Sequence, residues 1–268
     1  MNTARQLRWH KFASLPSTQT RCRELLASCP PVEDLIVLAD RQTEGLTADR
    51  KSQWMHFDKN VAMSLGVSLH VASKEMWQMA PMIQMIGPLS LLQYLKEETQ
   101  AGGGELGLKW PNDVYYNGRK AAGTLTELVS KYSESSHDRV IFGMGINIAN
   151  SEDQVEKLGQ QYDISFLPAS IQREKLAQGV YYRVISKLKL FQQKSPEYLY
   201  DSLNDEIAPC LLWVGKKVQL FPKGESKNVK PVVEGVLYGV NKSAGVDLKA
   251  GKKMVQINEP MSMRLVGL

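Results

Sequence analysis

The sequence predicts an α+β fold, a mixed or largely antiparallel sheet with flanking helices, followed by a small β-barrel. Three observations carry this. Between positions 61 and 148, apolar runs of strand character succeed one another across short turns, among them Asn117-Gly118, a strong hairpin signal. Two other segments repeat apolar residues every three or four positions, as helices do. From Lys217 onward, four short strand-like runs are parted by Gly, Pro and Asn turns.

In chain order, Pro30-Pro31 ends a helix that follows Thr18, and Leu35 to Ala39 reads as a short buried strand. Residues 40–59 are polar and without period, so a long loop is expected, of the kind that carries function. Val61 to Val71 is strand-like. Met82, Met85, Ile86, Leu89, Leu92 and Leu95 place a helix over 82–98 despite Pro88. The glycines at 102–104 are a linker, because no strand precedes them and no Gly-Lys-Ser/Thr follows. Strands are expected at 106–110, 114–116, 122–129 and 139–148. A stripe of Ile171, Leu176, Val180, Val184, Leu188 and Phe191 gives a helix over 170–193. Residues 196–209 read as a transition, and strands follow near 217–221, 232–238, 245–249 and 254–258. The expected division is a body over 1–207 and a small β unit over 208–268.

Composition excludes several classes. With 268 residues, 43% hydrophobic and 23% charged, the chain is an ordinary globular protein, neither disordered nor fibrous. No run of eighteen apolar residues occurs, so no membrane span is expected. Cys22, Cys29 and Cys210 are odd in number, without C-x-x-C or H-E-x-x-H, which points to free thiols in a reducing, cytoplasmic setting and to no dedicated zinc site. The net charge of +5 is uneven: from Ala208 onward ten Lys or Arg stand against four acids. That surplus suits either an acidic partner or a solvated face.

The segments that carry chemistry are Lys109-Trp110-Pro111-Asn112-Asp113, Lys120, Gly123 and Gly143-Met144-Gly145-Ile146-Asn147. A strand end and its following hairpin can converge on one pocket, where two lysines attract phosphate or carboxylate. Asp113 could hold magnesium or orient a donor. Each piece alone is weak. Trp-Pro-Asn-Asp is a good turn, and Gly-x-Gly with Ile148 where a third glycine would stand is no dinucleotide fingerprint.

Together the pieces resemble the signature of biotin protein ligases (holocarboxylase synthetases): Lys-Trp-Pro-Asn-Asp-Val, then Gly-Arg-Lys-x-x-Gly-x-Leu, then Gly-x-Gly-Ile-Asn. The likeness extends to Ser17-Thr18 and to Gln42-Thr-Glu-Gly45, spans about 17–150, and reaches more weakly into the C-terminal barrel. It implies a class II synthetase-like core with an SH3-like barrel. It also implies activation of biotin by ATP and Mg2+ to biotinyl-5′-AMP, then transfer to a lysine on the biotin carrier domain of a carboxylase. By position, Ser17, Thr18, Gln42, Gly45 and Gly123 would line the biotin pocket, joined there by Lys120, the bridge between carboxylate and α-phosphate. Trp54 would cover the adenine, Asn112 and Asp113 would serve phosphate and metal, and Lys109, Arg50, Gly145 and Asn147 would complete the nucleotide side.

The resemblance bears on the ends of the chain. The first twenty-three residues hold Arg5, Arg8, Lys11, Arg21 and Arg23 without an acid, like a presequence, but cleavage there would remove Ser17 and Thr18. Sixteen residues before Ser17 are too few for the winged helix of repressor relatives, so DNA binding is not expected. Two departures stand out. Gln19 occupies a place where many relatives have Asn. Residues 46–53 replace a glycine- and arginine-rich loop, with Arg50 or Lys51 as substitutes for its arginine. This loop supports a second reading, a relative that binds biotin, nucleotide or a carrier protein without catalysis. The glycine-rich loop of lipoate ligases is absent.

Overall fold

The computed structural model describes residues 5–30, 32–46, 53–54, 56–57, 59–69, 73–99, 104–129, 138–149, 156–158, 161–193, 196–222, 229–258 and 263–268. Its main layer is a seven-stranded sheet built from β1 (Gln6–Leu15), β2 (Glu33–Gln42), β5 (Val61–Ser68), β6 (Leu106–Lys109), β7 (Asp113–Tyr116), β8 (Arg119–Val129) and β9 (Arg139–Ile146). The order is β1-β2-β5-β9-β8-β7-β6. β1 and β2 run parallel and every other neighbouring pair is antiparallel, so the sheet is mixed, as expected. β5 is buried along its whole length and β9 nearly so, which is why both read as continuous apolar runs rather than alternating ones.

Helices cover both faces. α1 (Thr18–Ala27) starts at Ser17, whose Oγ accepts from the Thr20 amide at 3.3 Å, and packs on β2, β5 and β9 through Cys22 and Leu26. On the opposite face lies α2 (Ser73–Thr99), which begins nine residues before the expected start and continues through Pro81 and Pro88. With α3 (Arg173–Gln193) and α4 (Pro196–Ile207) it encloses the large core around Ile83, Ile86, Leu89 and Phe142.

Within the main body, several elements differ from the sequence reading. α4 replaces the expected transition; Leu199, Leu203 and Ile207, four residues apart, are its buried stripe. β1 was not expected, because its charged residues blur any alternation. Part of the expected loop over 40–59 is ordered as a two-stranded ribbon of β3 (Gly45–Leu46) and β4 (Gln53–Trp54), paired Gly45 to Trp54.

The C-terminal β unit is a five-stranded antiparallel sheet in the order β13-β12-β11-β10-β14, formed by β10 (Lys217–Pro222), β11 (Val233–Val240), β12 (Val246–Ala250), β13 (Lys253–Ile257) and β14 (Met263–Gly267). β14 had no counterpart in the sequence reading. The interior residues of this sheet, among them Leu220, Leu237 and Leu248, belong to the same apolar cluster as the main core. Leu211 and Leu212 lead into it and cover the edge strand β6, the Leu212 amide donating to the Leu108 carbonyl at 2.8 Å.

Candidate active site

A cleft of ≈ 540 Å³, including its open mouth, lies over the middle of the seven-stranded sheet. It is lined by Ser17 and Thr18 at the start of α1, Gln42 from the end of β2, Ser64 from β5, Asn112 from the β6–β7 turn, Lys120 and Gly123 from β8, Gly145 from β9 and Trp54 from β4. Eight of the residues named from the sequence therefore meet in one place, although the chain separates Ser17 from Gly145 by half its length. Gln19, Thr124, Leu125, Gly143 and Met144 complete the wall.

The polar lining is tightly ordered. The Thr18 amide and hydroxyl both donate to Gln42 Oε1, at 2.8 and 3.0 Å. The Ser64 hydroxyl lies 3.0 Å from Thr18 Oγ1 and 3.1 Å from Gln19 Oε1 and can donate to either. Gly45 faces the Gln42 amide so closely that a β-carbon would collide with it. Ser64 could not be picked out beforehand, since a serine inside Val-Ala-Met-Ser-Leu-Gly-Val reads as a strand filler.

Lys120 reaches the cleft through a β-bulge. Val114 pairs with Ala122 but Tyr115 pairs with Lys120, so Ala121 is one residue too many, and Ala121 and Ala122 are both buried. The extra residue puts Lys120 and Gly123, three positions apart, on the same side. The Lys120 ammonium sits 2.7 Å from Asp113 Oδ1, and a β-carbon at Gly123 would lie 3.1 Å from Nζ. Asn112 is fixed by donating from Nδ2 to the Thr124 carbonyl at 2.7 Å. The Trp54 indole lies against Gly145, where any side chain would strike it.

Other sequence-named residues stand elsewhere. Lys109 does not line the cleft: its ammonium contacts Tyr115 Oη at 3.0 Å and faces the Tyr115 and Trp213 rings. Burial, with Lys120 and Arg264 adding repulsion, lowers its pKa from the ordinary lysine value against the opposing pull of Asp113. Asn147 is buried below the cleft, accepting from Asn60 Nδ2 at 3.1 Å. Arg50 lies outside the described residues.

Among the described residues no group of three acidic, histidine or cysteine side chains is arranged to hold a metal ion, and Asp113 is engaged by Lys120. A single carboxylate of this kind does not make a resident magnesium cage.

The chain matches the model of the "Biotin/lipoate A/B protein ligase family" over residues 11–147, just over half its length. The chain belongs to this family. The ligase family members most informative for it include the bifunctional ligase/repressor BirA of Bacillus subtilis, 27% identical over 91% of this chain and 68% of that protein. The human biotin--protein ligase is 24% identical over 69% of this chain and 26% of its own length. A biotin protein ligase from Aquifex aeolicus, solved with biotin and ATP, superposes with a TM-score of 0.72 at 24% identity, covering 98% of this chain and 99% of that one. The likeness to biotin protein ligases and the α+β fold with its C-terminal β unit are thus borne out. No helix among the described residues is long and apolar enough to cross a membrane.

Proposed function

We propose that this chain is an ATP-dependent biotin ligase that converts biotin to biotinyl-5′-AMP and passes it to a lysine of a carboxylase's biotin carrier domain. Residues 1–207 would carry the chemistry, and 208–268 would be the small unit docked beside it. The observation that carries this reading is the polarity of the cleft. Over β2 and β5 it offers amides and hydroxyls suited to the carbonyl and N–H groups of a cyclic urea. Two strands further along, β8 supplies an ammonium suited to a carboxylate and a phosphate. Leu125 and Met144 provide apolar wall.

In the first step a biotin carboxylate oxygen attacks the α-phosphorus of Mg-ATP, the bond to the β-phosphate breaks, and pyrophosphate leaves. Lys120 offsets the repulsion between two anions and stabilises charge on the α-phosphoryl oxygens. Asp113 orients that ammonium. In the second step an amine of the acceptor attacks the acyl carbon and AMP leaves. Trp54, packed against Gly145, provides a surface for the adenine. The Aquifex aeolicus relative, solved with biotin and ATP together, supports this pair of substrates.

The second reading, binding without catalysis, is favoured by residues 46–53, which depart from the family's glycine-rich loop. One experiment separates the two. The protein is mixed with biotin and Mg-ATP, biotinyl-AMP is sought by mass spectrometry, and pyrophosphate is measured. Both products are expected; biotin binding without either would overturn the ligase reading.

A further inference from the structure

We propose that Glu127 and Arg23 form a polarity lock that decides which end of the Gln19 carboxamide faces the cleft, and so act as positioning residues for the urea of biotin. The inference rests on the ligase reading and deepens it. Gln19 lies in the first turn of α1 and is almost wholly buried. Its Nε2 donates to Glu127 Oε2 at 3.1 Å. That carboxylate also accepts from Arg23 Nε at 2.9 Å and from Arg23 Nη2 at 2.7 Å, a two-point grip on a planar fork.

An amide can be turned end for end with little change of shape, but its partners are not symmetric. A carboxylate only accepts. With Glu127 beneath it, Gln19 has to present its NH2 there; the reversed amide would set a carbonyl oxygen against a carboxylate oxygen. Oε1 is therefore turned the other way, into the cleft, where the Ser64 hydroxyl lies 3.1 Å from it. Gly143 leaves the room: a β-carbon there would collide with Gln19 Oε1.

Gln42 is locked in the opposite sense. The Thr18 backbone amide only donates, so Gln42 turns Oε1 to it and leaves its NH2 as the remaining polar group. Two glutamines thus offer the cleft one acceptor and one donor, the complement of an N–H and a carbonyl on one urea ring. The length of Gln19 matters here. An asparagine, one methylene shorter, would not span from Ser64 to Glu127 as this side chain does. Glu127 and Arg23 do not line the cleft, so they act through Gln19.

The test is titration calorimetry of the full chain with biotin and, separately, with Mg-ATP. In Glu127→Gln the underlying group can donate or accept, and Gln19 loses its preferred sense. Biotin affinity is expected to fall by about tenfold, the scale of one hydrogen bond in a polar network, with ATP affinity unchanged. The exchange Gln19→Glu with Glu127→Gln restores an acceptor in the cleft and a donor beneath it. It should return biotin affinity to within about threefold of the wild type, and it keeps the proposal testable if the single variant does not fold. A Glu127→Gln protein that binds biotin like the wild type would overturn the lock, as would an exchange no better than the single change. Wild-type protein that fails to bind biotin at all would instead remove the ligase reading beneath it.

Discussion

The indole nitrogen of Trp110 donates to the carbonyl oxygen of Ala244 at 2.7 Å, joining the turn that carries Asn112 and Asp113 to a turn of the C-terminal sheet. Trp110 is 1% exposed, the largest fully buried side chain among the described residues. Ala244 adopts a left-handed conformation with φ of 52°. Asn241 holds it there, its Oδ1 accepting from the amides of Ser243 and Gly245, both at 3.0 Å. The small β unit therefore supports the root of the candidate catalytic turn.

Trp110→Phe keeps most of the packing and removes this bond, leaving a buried carbonyl without its donor. A loss of about 1–3 kcal/mol in unfolding free energy is expected by urea denaturation. A change below about 0.5 kcal/mol would show that solvent replaces the indole.

Lys120→Ala separates catalysis from stability. Its ion pair with Asp113 is partly exposed, 37% and 18% at the two side chains, so the loss of stability should be about 1 kcal/mol or less. Adenylate formation should slow by more than about a hundredfold, the usual cost of removing a charged contact to the transition state. Turnover near that of the wild type would remove Lys120 from the chemistry.

Gly145→Ala pushes a methyl group into the Trp54 indole, so the ring has to leave its position. The KM for ATP should rise by about tenfold while the KM for biotin changes little, since the polar set around Thr18 and Gln42 is untouched. Equal rises in both constants would place Trp54 on shared ground between the substrates.

Cys29 should be slow toward alkylating reagents. Burial, with a hydrogen bond to Glu33 at 3.3 Å, pushes its thiol from 9.0 up to about 11. At any pH below 9 the thiolate is then about a hundredfold scarcer than on a free cysteine, and reactivity should climb as pH approaches 11. Burial raises Cys22 further, so it should remain unmodified until unfolding. Peptide mass spectrometry after iodoacetamide treatment reads both; Cys29 labelling at the rate of a free thiol at pH 8 would contradict this environment.

What was legible in the sequence was local. Asn117-Gly118 marked the hairpin through its own turn geometry, whereas Asn112, Gly123 and Gly145, weak as isolated turn and glycine signals, were marked by the family resemblance. Gln19 and Glu127 are 108 residues apart and meet only through the stacking of α1 on the sheet, which no local pattern encodes. Lys109 was named for its place in the motif and shares a sheet face with Asp113 and Tyr115, yet its ammonium goes to the Tyr115 hydroxyl while Asp113, its cross-strand partner, meets Lys120. α4 was hidden between Pro196 and Pro209, which punctuate its two ends so strongly that the four-residue spacing inside them was passed over.

The placement of β1 at the rim of the seven-stranded sheet has a consequence for self-association. β6, the opposite rim, is covered by the chain's own Leu211 and Leu212, but β1 is ten residues long and, among the described residues, has a neighbour on one side only. A long unpaired rim is a template for aggregation unless charge blunts it. Arg8 pairs with Glu33 at 2.5 Å and Lys11 with Glu174 at 3.1 Å, which keeps two cations along this strand. The cations of β1 thus place charge along this rim, which disfavours its pairing with a strand of another copy.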